Sequence, residues 1–157
     1  MANTELIVFT DGGCSGNPGP GGWAYVIVNP AASSPVLAKK WGAEPLTTNN
    51  RMELSAAVEA LRDLRGRPEA PGLTITVFTD SQYVQKGISL WVNSWKRNGW
   101  RTSAKEPVKN QDLWQALDAL STELRVRWSW VKGHAGNEYN ELCDRMTQEA
   151  IASLPKM

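Results

Sequence analysis

Apolar residues along this chain follow two different periods. Leu6-Ile7-Val8-Phe9 is a short apolar run that ends in Thr10-Asp11, and Leu73 to Phe78 alternates with threonine and ends in Thr79-Asp80. Both runs spell Val-Phe-Thr-Asp, at 8–11 and at 77–80. Side chains alternate across a strand, so each run predicts a strand that stops on a carboxylate, with Asp11 on the face of Phe9 and Asp80 on the face of Phe78. The echo is too short to be a structural repeat. Further strands are expected over about 22–29 and about 36–43. From residue 49 the period becomes helical: Glu53, Ala57, Ala60, Leu61 and Leu64 share one face. This predicts a helix over 49–65, capped by Thr48 or Asn49. Short helices are expected over 81–95, then a helix over 111–123, a strand from Arg125 to Val131 and a helix over 138–152. A meander followed by alternating helices and strands predicts a mixed α/β sheet with helices on its faces.

The 157 residues fit one domain, expected to span 1–157. No stretch approaches the ~20 apolar residues of a membrane span, and no basic segment leads a long apolar one at the N-terminus. Cys14 and Cys143 make neither a metal-spacing motif nor a disulfide framework, so a reducing, cytoplasmic setting is expected. Charge changes the picture more. Between Lys86 and Lys109 six basic residues face one acid, Glu106, a local +5 in a chain of net charge +1. The remainder is therefore −4: one region suits an anionic partner while another collects carboxylates.

Two strand-end carboxylates on adjacent parallel strands would lie ~4.8 Å apart across the sheet and repel unless a proton or cation sits between them. Separately, each acid has an ordinary explanation. Asp11 could be a turn residue before Gly12-Gly13, and Asp80 the cap of a helix starting at Gln82. Glu53 could complement a helix dipole, and Asp144 could be a boundary residue of an amphipathic helix. Together, from two strand ends and two inner helix faces, they suggest a site with oxygen ligands alone, suited to Mg²⁺ or Mn²⁺. His134, the one histidine, stands between Gly133 and Gly136 just after a strand. It is either a solvated loop residue or a proton shuttle. Trp114, Trp128 and Trp130 are expected in the core. Trp91, Trp95 and Trp100 are interleaved with Lys96, Arg97 and Arg101 and suggest a grip on a sugar-phosphate backbone. The Gly/Pro-rich segment from Asp11 to Gly22 lacks a P-loop ending and is expected to be a long hairpin loop.

The stretches FTDGGCSGNPGPGGW (9–23), TTNNRMEL (47–54), FTDSQYV (78–84), WVNSWKRNGWR (91–101), PVKNQDLW (107–114) and WVKGHAGNEYNELCD (130–144) resemble type I ribonuclease H of the bacterial kind. The resemblance runs from about residue 4 to residue 152. It implies a five-stranded mixed sheet in the order 3-2-1-4-5. It implies an endonuclease that hydrolyses the RNA strand of RNA–DNA hybrids with two metal ions, leaving 5′-phosphate and 3′-hydroxyl ends. Position by position, the metal ligands fall on Asp11, Glu53, Asp80 and Asp144, and the loop histidine on His134. Hybrid contacts fall on Cys14, Asn17, Asn49, Asn50 and Gln82, and the phosphate pocket on Thr48 and Asn110. The basic protrusion, about 91–109, supplies Trp91, Trp95, Lys96, Arg97 and Trp100. Leu46 stands where some relatives carry a base, and Met146-Thr147 where Leu-Ala is common. No hybrid-binding domain precedes the catalytic one, so grip is expected from the protrusion, in a monomer with no membrane contact. A silent hybrid-binding module and a hydrolase of small phosphate esters are the other classes. The full acid set argues against the first and the basic tryptophan segment against the second.

Overall fold

The computed structural model describes residues 4–102, 104–130 and 138–154. Strands β1 (Thr4–Cys14), β2 (Gly19–Val28) and β3 (Val36–Thr47) form an antiparallel meander. Helix α1 (Asn49–Arg65) leads to β4 (Leu73–Thr79), which returns to pair with β1 in parallel. Helices α2 (Gln82–Lys86) and α3 (Val92–Arg97), joined by a π-helical turn over Gly87–Trp91, precede α4 (Gln111–Glu123), β5 (Arg125–Trp130) and α5 (Glu138–Ala152). The described strands make one five-stranded sheet in the order β3-β2-β1-β4-β5, as expected. No helix among the described residues is long and apolar enough to cross a membrane.

Alternation along the strands sets the layers. Leu6, Val8, Tyr25, Ile27, Ile75 and Val77 pack with Leu54, Leu61 and Leu64 of α1 and with Trp114, Leu117 and Leu120 of α4. The opposite face presents Phe9, Ala24, Val26 and Val28 to Cys143 and Met146 of α5. Thr48 starts α1 by accepting from the Arg51 N–H at 3.2 Å, which satisfies one of the orphan donors of the first turn. The expected stripe on α1 is buried at Ala57, Ala60, Leu61 and Leu64.

Two expectations are corrected. β1 does not stop at Asp11 but runs on to Cys14, and β2 starts at Gly19, so the long loop shrinks to Ser15–Pro18. The glycines here do not break the strands. They are paired across the hairpin, Gly12 with Trp23 and Gly13 with Gly22. Their missing side chains let helices lie directly on backbone. A Cβ on Gly12 would fall on the backbone of Met52 and Glu53, and one on Gly22 would come within 2.9 Å of the Ala150 Cβ. The other correction is Trp130, which is 38% exposed while Trp114 is fully buried. It ends an edge strand, and its indole N–H donates back to the Asp80 carbonyl, just past the end of β4, at 3.2 Å.

Gly12→Ala should cost ~2 kcal/mol or more in denaturant unfolding, because α1 cannot move without leaving the sheet. Gly13→Ala, whose nearest neighbour would be the Asn49 Oδ1 at 3.8 Å, should stay within ~0.5 kcal/mol of the parent. Equal losses would show that helix approach does not set the need for glycine.

Candidate active site

Parallel pairing of β1 with β4 fixes the first two acids. Phe9 pairs with Phe78, and their rings stack with centroids 5.4 Å apart. Asp11 and Asp80 each lie two residues further on, at the same level and on the face those rings mark. Both are half-buried. Gly12 then admits the second turn of α1 and with it Glu53. The Glu53 carboxyl accepts from the Ser81 hydroxyl, yet burial, with Asp80 and Asp11 beside it, pushes it up to about 7 from an ordinary 4.5. From the other layer, the buried Cys143 of α5 donates its thiol to the Phe9 carbonyl at 3.4 Å. Burial pushes that thiol up, and so do the charges of Asp11, Asp144 and Asp80. The half-buried Asp144 follows Cys143 on the helix.

The four acids therefore reach one end of β1 from β1, β4, α1 and α5. They gather without closing: among the described residues no three His, Cys, Asp or Glu side chains stand close enough to hold an ion as they are. His134 lies outside the described residues.

The polar candidates beside the acids form a connected set. Cys14 N–H donates to the Asn49 Oδ1 at 2.8 Å, and Asn49 N–H donates to the Asn17 Oδ1 at 3.2 Å. The Cys14 thiol donates to the Gly16 carbonyl at 2.6 Å. Asn17, Thr48, Asn50, Tyr83, Trp95 and Asn110 are among the residues lining a cleft of about 650 Å³. Gln82 lies apart from it, in a smaller groove of about 260 Å³ with Gln85, Lys86 and Trp130.

The protrusion tryptophans serve first as a mount. Trp91, Trp95 and Trp100 follow one another at centroid distances of 5.9 and 6.2 Å, and Trp95 meets the buried Trp114 edge-on at 5.6 Å. Their cations are placed outward, and Lys96 already pairs with Asp118 at 3.3 Å.

Sequence reasoning missed Arg51, Asp112 and Tyr83. The Arg51 guanidinium forks onto Asp112 at 3.1 and 2.8 Å and holds that carboxyl below its ordinary range. The signal was present: a cation in the first turn of a helix opposes the dipole and calls for a counter-charge.

The family model for RNase H matches residues 3–152. The chain belongs to the RNase H family. The Ribonuclease H of Treponema pallidum is 50% identical over 159 aligned positions, covering 95% of this chain and 92% of that protein. The Ribonuclease H of Treponema denticola is 51% identical and covers 96% and 99%. Among solved structures, LC9-RNase H1, a type 1 RNase H with the type 2 active-site motif, matches with a TM-score of 0.85. It is 30% identical and covers 99% of this chain and 75% of that one. This ribonuclease H is accordingly a nuclease and a hydrolase, and its sheet order is the one the resemblance implied.

The pH dependence of stability follows from Glu53. Its folded pKa lies above its unfolded one, so the contribution to stability is whole below pH 4.5 and is lost as pH rises through about 7. Without divalent cations the parent should lose up to ~3 kcal/mol relative to Glu53→Gln between about pH 5 and pH 8. Parallel stability curves for the two proteins in denaturant titrations would refute the raised Glu53 carboxyl.

Proposed function

We propose that this ribonuclease H is a single catalytic domain that cleaves the RNA strand of RNA–DNA hybrids, with Asp11, Glu53, Asp80 and Asp144 as the ligands of divalent Mg²⁺ or Mn²⁺. One observation carries the reading: in-register parallel strands bring Asp11 and Asp80 beside Glu53, whose carboxyl feels both charges. The donor set fits such ions. It is all oxygen, and it leaves a concentration of negative charge that costs the fold stability, which a hard cation would relieve. The RNase H family is generally dependent on divalent metals. LC11-RNase H1, which shares the fold at a TM-score of 0.69, was solved in complex with RNA/DNA hybrid.

Two bound ions would supply activation of a water and stabilisation of the leaving 3′ oxygen. The protein's part is to place the phosphate. Asp11, Glu53, Asp80 and Asp144 would hold those ions against the scissile phosphate, Asp144 toward the attacking water and Glu53 with Asp80 toward the leaving oxygen. His134 moves the proton, and the products carry 5′-phosphate and 3′-hydroxyl ends. Cys14, Asn17, Asn49, Asn50 and Gln82 offer hydrogen-bonding groups to the wide minor groove, where the 2′-hydroxyls distinguish RNA from DNA. Thr48 and Asn110 hold a phosphate of the DNA strand at the cleft. Trp91, Trp95 and Trp100 carry Lys96 and Arg97 along that strand.

A labelled RNA–DNA hybrid, duplex RNA and a small phosphomonoester, each incubated with and without Mg²⁺, separate this activity from its rivals. Cleavage of the hybrid alone, and only with the metal, is expected. Asp11→Asn should lower the cleavage rate by at least ~100-fold, more than loss of an outer-shell partner costs, while hybrid binding stays near that of the parent and the fold is no less stable. Wild-type turnover in that variant would end the metal assignment. Lys96→Ala with Arg97→Ala should raise KM more than it lowers kcat. Because Lys96 is already paired with Asp118, the salt slope of binding should fall by about 1 and not by about 2. An unchanged slope would mean the protrusion does not touch phosphate.

A further inference from the structure

We propose that the Tyr83 hydroxyl is a phosphate donor in the cleft beside Asn110, and that Arg51 is the positioning residue that orients both. This deepens the hybrid-cleaving reading above and rests on it. Arginine only donates, so the Asn110 atom facing Arg51 Nη1 at 3.4 Å is the carbonyl Oδ1. That fixes the amide, and its Nδ2 donates to the Tyr83 oxygen at 3.3 Å. Trp114 Nε1 donates to the same oxygen at 3.0 Å. A phenol oxygen has two lone pairs and one proton. Two donors already occupy the lone pairs, so Tyr83 can only give its proton away, and no acceptor among the described residues takes it. The second hydrogen of Asn110 Nδ2 is in the same position. Both groups line the cleft that also contains Thr48. Lys109 and Glu106 line it too, one charge of each sign, so the neutral donors decide what fits: an anionic oxygen.

Arg51 is not itself the phosphate ligand, because Asp112 takes its fork at 3.1 and 2.8 Å. Its work is to tie the first turn of α1 to the first turn of α4. Asn110 sits there in the left-handed region, at φ 58°, with no side-chain cap bond of its own. An asparagine tolerates that backbone, but the direction of its amide is set by what brackets it, Arg51 on one side and Tyr83 on the other.

The test measures binding of the full chain to RNA–DNA hybrids in chelator by fluorescence anisotropy. Single neutral methylphosphonate linkages are placed one at a time along the DNA strand. The parent should lose affinity most at one linkage, by at least about fivefold, the size of one net hydrogen bond or more. Tyr83→Phe keeps the ring against Trp91 and Trp114. It should lose about fivefold on the unmodified hybrid and about fivefold less than the parent at that linkage, where Thr48 and Asn110 still bind. Arg51→Lys keeps the charge but not the fork, and should show the same loss and the same reduced sensitivity at that linkage. It leaves the Trp114 bond untouched, so it carries the test if Tyr83→Phe fails to melt cooperatively. Losses that multiply at every linkage, or a Tyr83→Phe that binds as the parent does, would overturn the donor role. Parent-like binding by Arg51→Lys would overturn the positioning role. A parent protein that neither binds nor cleaves the hybrid refutes the proposed function itself, a separate result.

Discussion

The crowding of half-buried acids at one end of the sheet is the constraint around which this structure is arranged. Parallel pairing of β1 with β4 forces Asp11 and Asp80 to one level of the sheet, and a glycine at position 12 lets α1 press Glu53 in beside them. Nothing in the core requires such a grouping. The raised Glu53 carboxyl shows that the fold bears a cost at this point, and a cost concentrated at one mouth of the sheet marks a functional site.

The remainder of the architecture serves to bring a long anionic ligand to that mouth. The cations of the protrusion are held outward on a row of aromatic rings that ends on the buried Trp114. A Cβ on Gly87 would collide with the Trp114 ring, so the π-helical turn and the ring are matched parts. Mounting charge on a row of packed aromatics gives reach without a flexible arm.

Much of this was legible in the chain because the relevant signals are local. The helical stripe from Glu53 to Leu64 and the cap at Thr48 place α1 at Asn49–Arg65, as observed. The bounds of α4 and α5 followed in the same way. What escaped depends on distant partners. Gly12-Gly13 and Gly21-Gly22 look like breakers, but pairing between β1 and β2 and helices pressing from both sides keep them extended. Trp130 looks like its neighbour Trp128, yet it closes a strand at the rim of the sheet, a fact of topology that no local pattern carries. The i, i+4 spacing of Trp91 and Trp95 fits a stack as well as a grip, and the sequence offers no means of choosing. Arg51 was readable only as a charge on the wrong end of a helix; its partner Asp112 comes from a distant element.

The two glycine contacts also have a mechanical meaning. At Gly12 and Gly22 helices from opposite layers rest on the sheet with no sheet side chain between. Packing this close resists sliding, since any shift of either helix drives atoms into main chain. The acids therefore sit on stiff supports, and whatever adjustment a guest ion asks of them must come from torsion about their own side-chain bonds.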